Sequence, residues 1–224
     1  TGLANLLVLD LGASDEPGPR HRWLTSGTAE RKEARLSPDA RMVAFLRRDA
    51  AGWHLRVADL DGEARRLTYL DGEVASPAWS PDGRHIAFGS LATGGASIWT
   101  VSAGGGAVTR VGGAGYGGHE VIWLSTGRIL YQRGGDRAYG LLAPDSGEVG
   151  QIRAPDGQWI YGPRESPDGG KVAFRATGDA EGLWVVDLAD QRWTRISQRA
   201  LGPVAWSSAG DTVYAMPAGG RRGG

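Results

Sequence analysis

The chain has 224 residues, 41% of them apolar, with 37 glycines and 11 prolines. That supplies a continuous core and many tight turns, and argues against a disordered chain or one of long helices. Lys and Arg number 25 against 25 Asp and Glu, so no net charge draws the chain to nucleic acid or anionic lipid; with no cysteine there is no disulfide framework, thiolate metal site or cysteine nucleophile.

The first apolar run is Leu6-Leu7-Val8-Leu9-Asp10-Leu11, and Arg22-Trp23-Leu24-Thr25 follows it. From there the chain repeats itself. Leu36-Ser37-Pro38-Asp39-Ala40 opens the series, Trp79-Ser80-Pro81-Asp82-Gly83 is the fullest copy, and Glu165-Ser166-Pro167-Asp168-Gly169 matches closely. Trp123-Leu124-Ser125-Thr126-Gly127 and Trp206-Ser207-Ser208-Ala209-Gly210 are degenerate copies in the same register, so the turn recurs every 41 to 44 residues. In the full turn Pro presets φ, Asp bonds amides ahead of it, and Gly accepts positive φ.

Each turn leads into a short β-rich apolar run: Val43-Ala44-Phe45, Ile86-Ala87-Phe88, Ile129-Leu130-Tyr131, Val172-Ala173-Phe174 and Val213-Tyr214-Ala215. Such runs read as strands buried on both faces. A third strand follows in His54–Leu60, Ile98–Val101, Tyr139–Leu142 and Leu183–Leu188, and a fourth ends in Arg66–Thr68, Arg110–Val111, Gln151–Ile152 and Arg195–Ser197. The N-terminal pair reads as strands three and four with no first or second, and the C-terminal copy has only a first and second. Joined, they complete a fifth blade and leave no open sheet edge. The sequence therefore predicts one all-β propeller of five four-stranded blades over residues 1–217, closed by pairing N-terminal strands three and four with C-terminal strands one and two. Residues 218–224 read as a flexible Gly/Arg tail.

The copies Trp79 to Phe88, Glu165 to Phe174 and Leu36 to Phe45 resemble the TolB-type, WD-like propeller repeat, whose consensus is WSPDG-x-x-[IL]-AF. The resemblance implies the fold over nearly the full length. It narrows function little, since that family includes translocation-associated scaffolds, sensor domains and the propeller halves of serine peptidases. It leans toward an exported, periplasmic setting in a bacterium; Arg at 23 positions against Lys only at Lys32 and Lys171 fits high-GC codon usage. Thr1 in place of an initiator Met points to a removed tag, signal peptide or longer precursor.

Chemistry is sparse. No serine sits in a G-x-S-x-G elbow; Trp123-Leu124-Ser125-Thr126-Gly127 lacks the first glycine and occupies a repeat turn. The four histidines, His21, His54, His85 and His119, form no ligand pair at metal spacing, and Asp59-Leu60-Asp61-Gly62 lacks the later ligands of a calcium loop. Neither metal nor cofactor is expected. Five-bladed glycosidases work with two carboxylates across a central cleft, which makes Glu33, Glu73, Glu120 and Glu165 the ones to locate. Glu165 stands where other copies carry tryptophan, and a pairing with Arg164 is the simplest account of it.

Loops joining successive blades gather at one face of a propeller. There the residues suited to recognition are Glu33, Glu73, Tyr116, His119, Glu120, Trp159, Tyr161 and Arg164. Gly112–Gly118 reads as a flexible loop over the channel mouth, while Trp79, Trp123, Trp206, Trp99 and Trp184 recur in register and read as packing, leaving Trp159 as a loop tryptophan free to touch a ligand. The expectation is a non-catalytic module that binds a protein or peptide through this channel face, with no nucleic acid partner and no membrane insertion, monomeric or part of a larger chain. The alternatives are an enzyme or enzyme part, either a five-bladed glycoside hydrolase or the propeller of a serine peptidase without its catalytic domain, and a structural or engineered propeller without a ligand.

Overall fold

The computed structural model describes residues 7–10, 20–23, 25, 30–60, 62–92, 95–112, 115–135, 137–179, 181–199 and 201–217. The chain divides into two compact units, residues 1–114 and 115–224. In the first, β1 (Leu7–Asp10) and β2 (Arg20–Trp23) form a two-stranded sheet. β3 (Arg31–Leu36), β4 (Met42–Asp49), β5 (Gly52–Asp59) and β6 (Arg65–Arg66) make a four-stranded meander. A second meander follows in β7 (Val74–Trp79), β8 (His85–Ser90), β9 (Ser97–Ser102) and β10 (Thr109–Gly112). The second unit holds β11 (Tyr116–Trp123), β12 (Ile129–Arg133), β13 (Ala138–Leu142) and β14 (Val149–Arg153), then β15 (Trp159–Glu165), β16 (Lys171–Thr177), β17 (Gly182–Asp187) and β18 (Trp193–Ser197). The hairpin β19 (Leu201–Trp206) and β20 (Val213–Pro217) ends it. The segment 218–224 and residues 113 and 114 of the glycine-rich stretch lie outside the described residues.

Every second strand of the four meanders is buried on both faces, as its unbroken apolar run requires. In the first unit Ala44, Leu46, Leu55 and Val57 of one sheet pack on Val74, Trp79, Ile86 and Phe88 of the next. In the second unit Leu124, Leu130, Tyr139 and Ile152 pack on Ile160, Val172 and Phe174 in the same way. Phe45, Phe88 and Phe174 hold equivalent positions in their copies, and all are fully buried. Truncating a phenylalanine in such a place costs about 3–5 kcal/mol.

The turn between first and second strands works as its residues predict. Ser80 Oγ donates to Asp82 Oδ1 at 2.6 Å and accepts the His85 N–H at 2.9 Å, while Asp82 Oδ1 accepts the Arg84 N–H at 3.0 Å. Ser37 with Asp39, and Ser166 with Asp168, repeat this network. The last turn residue is left-handed in each copy: Gly83, Gly127, Gly169 and Gly210 accept this freely, but Ala40 adopts φ 55° without the freedom of a glycine. In blade three Leu124 replaces the serine and is fully buried, so the serine–aspartate network is lost; the turn keeps its backbone bonds, Leu124 N–H to Arg128 O and Gly127 N–H to Leu124 O, and the Trp123 indole N–H donates to Gly127 O at 3.0 Å.

Candidate functional site

The first strand of every copy contains a slip in register, between Lys32 and Arg35, Ala75 and Ala78, Tyr116 and Val121, Tyr161 and Arg164, and Leu201 and Val204. The bulged residue is left-handed at Glu33 (φ 55°), Ser76 (φ 54°), Glu120 (φ 36°) and Gly162 (φ 62°). These four stand three residues before the Leu36, Trp79, Trp123 and Glu165 position, so the bulge belongs to the repeat. Strands therefore start before the expected loops end. Tyr116, Trp159 and Tyr161, expected on loops, lie in β11 and β15, because the chain keeps pairing on both sides of the bulge. Gly117 sits in β11 for a related reason: a Cβ there would lie 3.0 Å from the Gly134 nitrogen, so the two backbones approach closely only without side chains.

The bulge decides what two of the candidate carboxylates do. Glu33 reaches from its own bulge to the next one and accepts the Ser76 N–H at 2.7 Å; its other oxygen lies 3.4 Å from Lys32 Nζ. In the second unit Glu120 repeats the contact, accepting the Gly162 N–H at 2.8 and 3.0 Å. Glu120 also accepts a short hydrogen bond from the Tyr139 hydroxyl. Burial above all, and then the Glu120 charge, push the Tyr139 pKa up, so the phenol stays protonated and donates.

Glu165 is held differently from what its sequence neighbourhood predicts. Its partner is not Arg164, whose guanidinium turns back to donate to Pro163 O at 2.8 Å. Glu165 accepts the Ser125 N–H at 2.9 Å and the Ser125 hydroxyl at 2.8 Å. The physical reason lies in the repeat. Ser125 occupies the place of Pro38, Pro81 and Pro167, which have no N–H, and its amide is an extra donor that a carboxylate satisfies. At two of the three kept tryptophans the polarity is reversed, Trp79 Nε1 donating to Arg35 O and Trp206 Nε1 to Arg164 O, both at 2.9 Å, while Trp123 Nε1 donates to Gly127 O of its own turn at 3.0 Å.

Of the remaining candidates, Tyr116 is 4% exposed and belongs to the packed interior, which removes it from any contact surface. Glu73 and His119 are exposed. Glu73 lies against the β4–β5 turn, its Cγ 3.6 Å from where a Cβ on Gly52 would be, and its carbonyl accepts the Leu91 N–H at 3.4 Å. Trp159 and Tyr161 stand two apart on one side of β15 and stack nearly parallel, centroids 6.3 Å apart at 13°. Arg137 lies over the Trp159 ring at 5.3 Å and is anchored by a hydrogen bond to Gly157 O. Tyr161 faces Arg175 across the strand pair. Sequence reading had no reason to mark Arg137, Tyr139 or Arg175. Ser76 and Gly162 were findable, by aligning the copies and asking which backbone amide faces Glu33 and Glu120. Among the described residues no three His, Asp or Glu side chains gather as a metal-ligand set.

Comparison with known proteins gives the fold a context. No family model matches the chain. It is 30% identical over 152 residues to an uncharacterized protein of Agrobacterium fabrum, covering 62% of this chain and 52% of that one. Over 50 residues it is 44% identical to the Tol-Pal system protein TolB of Nitrosomonas europaea, 22% of this chain and 12% of that one. Crystalline TolB from Acinetobacter baumannii superposes with a TM-score of 0.70 at 20% identity, over 89% of this chain and 52% of the other. A puromycin hydrolase follows at 0.65 and 21%, over 87% and 34%, and an oligogalacturonate lyase in complex with manganese at 0.65 and 12%, over 85% and 59%. The chain spans about half the length of the Agrobacterium fabrum relative and less of the TolB one. With the repeated four-stranded meanders and the Ser-Pro-Asp-Gly turns, these likenesses show a β-propeller fold similar to that of TolB.

Proposed function

We propose that the chain is a non-catalytic binding module that recognises a protein or peptide through the first-strand bulge region, where Trp159, Tyr161, His119 and Arg137 offer aromatic and cationic contacts. The observation that carries this reading is the Trp159–Tyr161 stack with Arg137 above it: a rigid, half-exposed aromatic pair gives contact area at little entropic cost. It is supported by the occupation of Glu33, Glu120 and Glu165, each holding a backbone amide within its own unit, an engagement unlike that of a free general base. TolB being among the structural neighbours supports a scaffold role and an exported location. The test is a peptide-display selection on the purified chain, with hits measured by calorimetry. Trp159→Ala/Tyr161→Ala should abolish binding without shifting the melting temperature by more than a few degrees. Hits that bind the double variant equally well would overturn the reading.

A second reading is favoured by a separate observation. Over 65 residues the chain is 40% identical to an uncharacterized peptidase of Bacillus subtilis, and it covers 34% of the puromycin hydrolase chain, as the propeller part of a larger enzyme would. On that reading the region above positions substrates for a catalytic domain elsewhere in the protein. Extending the coding sequence in both directions decides it, by the presence or absence of a G-x-S-x-G segment. The architecture proposed with either reading is residues 1–217 as five blades, with β1 and β20 pairing to complete the fifth. Amide exchange in β1 should then rise sharply when residues 201–217 are deleted, and unchanged exchange would refute the closure.

A further inference from the structure

The residue that follows Val43-Ala44-Phe45 and its counterparts is Leu46, Gly89, Gln132, Arg175 or Met216, so blade four alone carries a charge there. Ahead of the bulge the same blade places Trp159 and Tyr161 where the first three copies place Glu30 and Lys32, Glu73 and Ala75, Gly117 and His119. Strand register brings these departures together. Trp159 stands opposite Thr177 and Tyr161 opposite Arg175, so all four share one face of β15 and β16. The other face, with Ile160, Phe174 and Ala176, packs on Leu124, Leu130 and Tyr139 of the third blade. Farther along the first face Ala173 and Val185 pack with Val204 of β19, whereas Trp159, Tyr161 and Arg175 stay half-buried.

Arg175 is held in place but unmatched. A Cβ on Gly162 would lie 3.2 Å from Arg175 Nε and 3.3 Å from Nη2, so the guanidinium rests against the bulge, in space that a side chain at Gly162 would need. Among the described residues it makes no hydrogen bond and has no carboxylate within ion-pair distance. Arg137, over the Trp159 ring, gives an N–H to Gly157 O and is likewise in no ion pair among the described residues. Glu120, the carboxylate bound to this bulge, spends its oxygens on the Gly162 amide and the Tyr139 hydroxyl. Asp179 and Glu181, after β16, are exposed and pair with neither arginine. By contrast Arg48 meets Glu30 at 3.3 Å and Arg66 meets Asp49 at 2.9 Å.

We propose that the partner recognised at this surface is an acidic peptide segment, which lays an apolar side chain on the Trp159–Tyr161 pair and sets an Asp or Glu carboxylate on Arg175, with Arg137 supplying a second positive charge. This rests on the binding-module reading above and specifies its ligand. A guanidinium fork matches a carboxylate through paired N–H bonds, and one already positioned against the bulge loses little freedom when it does so. The aromatic pair beside it excludes water and strengthens the contact. The chain carries no net charge, so the attraction is local to these two arginines, which also turn basic segments away.

The experiment titrates the whole chain with three end-blocked octapeptides that carry leucine at alternate positions and Glu, Gln or Lys at the others, read by calorimetry at low and at physiological salt. The Glu peptide should bind at least about tenfold more tightly than the Gln peptide, with the Lys peptide weakest, and the margin should shrink as salt is raised. Arg175→Gln should erase the preference for Glu over Gln at an unchanged melting temperature, and Trp159→Ala/Tyr161→Ala should abolish binding of the Glu peptide. Equal affinity of the Glu and Gln peptides for the parent chain, or a preference for Glu that survives Arg175→Gln, overturns the proposal. If the peptides bind without regard to charge and still require Trp159 and Tyr161, the binding-module reading stands and the acidic specificity alone falls. If none of the three binds, the acidic specificity falls too, and the display selection decides the broader reading by itself.

Discussion

The junction between the first and second blades and that between the third and fourth, one in each unit, use the same bulge but different chemistry. In the first, Glu33 holds the Ser76 amide and Trp79 sends its indole N–H back to Arg35 O. In the second, Glu120 holds the Gly162 amide and also the Tyr139 hydroxyl, while Glu165 replaces the tryptophan and accepts from Ser125. Donors and acceptors differ together between the two junctions, so that Glu33, Glu120, Glu165 and the amides they meet are paired in both. What the two junctions share physically is the pairing of those groups, whatever residues carry it.

The largest expected effect separates the two bulge carboxylates. Tyr139 is 1% exposed, so removing Glu120 strands its hydroxyl in the interior in addition to freeing an amide. Glu120→Ala should cost about 2–3 kcal/mol in urea unfolding and Glu33→Ala about 1. Adding Tyr139→Phe to Glu120→Ala should recover part of the loss. Equal costs for the two alanine variants would mean that Tyr139 is satisfied without Glu120.

The second effect tests whether Glu165 and Ser125 form one unit. Glu165→Trp or Ser125→Pro alone removes one side of a charge-assisted contact and should destabilise by about 1 kcal/mol; the double variant, which restores the repeat consensus, should be near neutral. Strict additivity of the two single changes would show that the contact contributes nothing to the junction.

These contrasts also mark how far the sequence could be read. Strand order and the buried faces were legible because Val43-Ala44-Phe45 and its four counterparts recur beside a turn with a fixed chemistry. The bulge was not, because Glu33, Ser76, Glu120 and Gly162 are of three different residue types and the two glutamates are not in neighbouring copies; what all four share is a backbone conformation. Glu165 stood out as an anomaly, but its partner lies 40 residues away in the preceding copy, and nearness in sequence pointed to Arg164 instead. Tyr116 was misplaced because its apolar ring, set among glycines, is a core residue and no loop tip. Trp159 and Tyr161 survive as contact candidates through their geometry, the stack.

A smaller effect compares the turns themselves. Ala40 and Gly83 share one left-handed position, φ 55° and 69°. Ala40→Gly should stabilise by up to about 1 kcal/mol and Gly83→Ala should destabilise by a similar amount. A Cβ on Gly83 would meet Pro38 Cδ at 3.6 Å, an ordinary contact, so the backbone alone sets the sign. Opposite shifts in the midpoint of thermal unfolding are the expected outcome.

The smallest effect distinguishes the three full turns from that of blade three by pH. The serine hydroxyl first, and then the amide two residues ahead, hold Asp39, Asp82 and Asp168 below the ordinary aspartate pKa. A carboxylate depressed in the folded state contributes stability above its unfolded pKa and loses it as pH falls through the folded one, so the loss belongs below about pH 4. His54 acts in the same direction at higher pH. Burial, and then Arg66, lower its pKa against the opposing pull of Asp49, so its protonation in the unfolded chain erodes stability from about pH 6.5 downward. Two limbs should therefore appear in the melting temperature. Asp39→Asn/Asp82→Asn/Asp168→Asn should flatten the lower one and leave the upper, while His54→Gln should flatten the upper alone. Blade three, with Thr126 in place of the aspartate, contributes to neither, so a lower limb that persists in the triple variant would have to arise outside these turns.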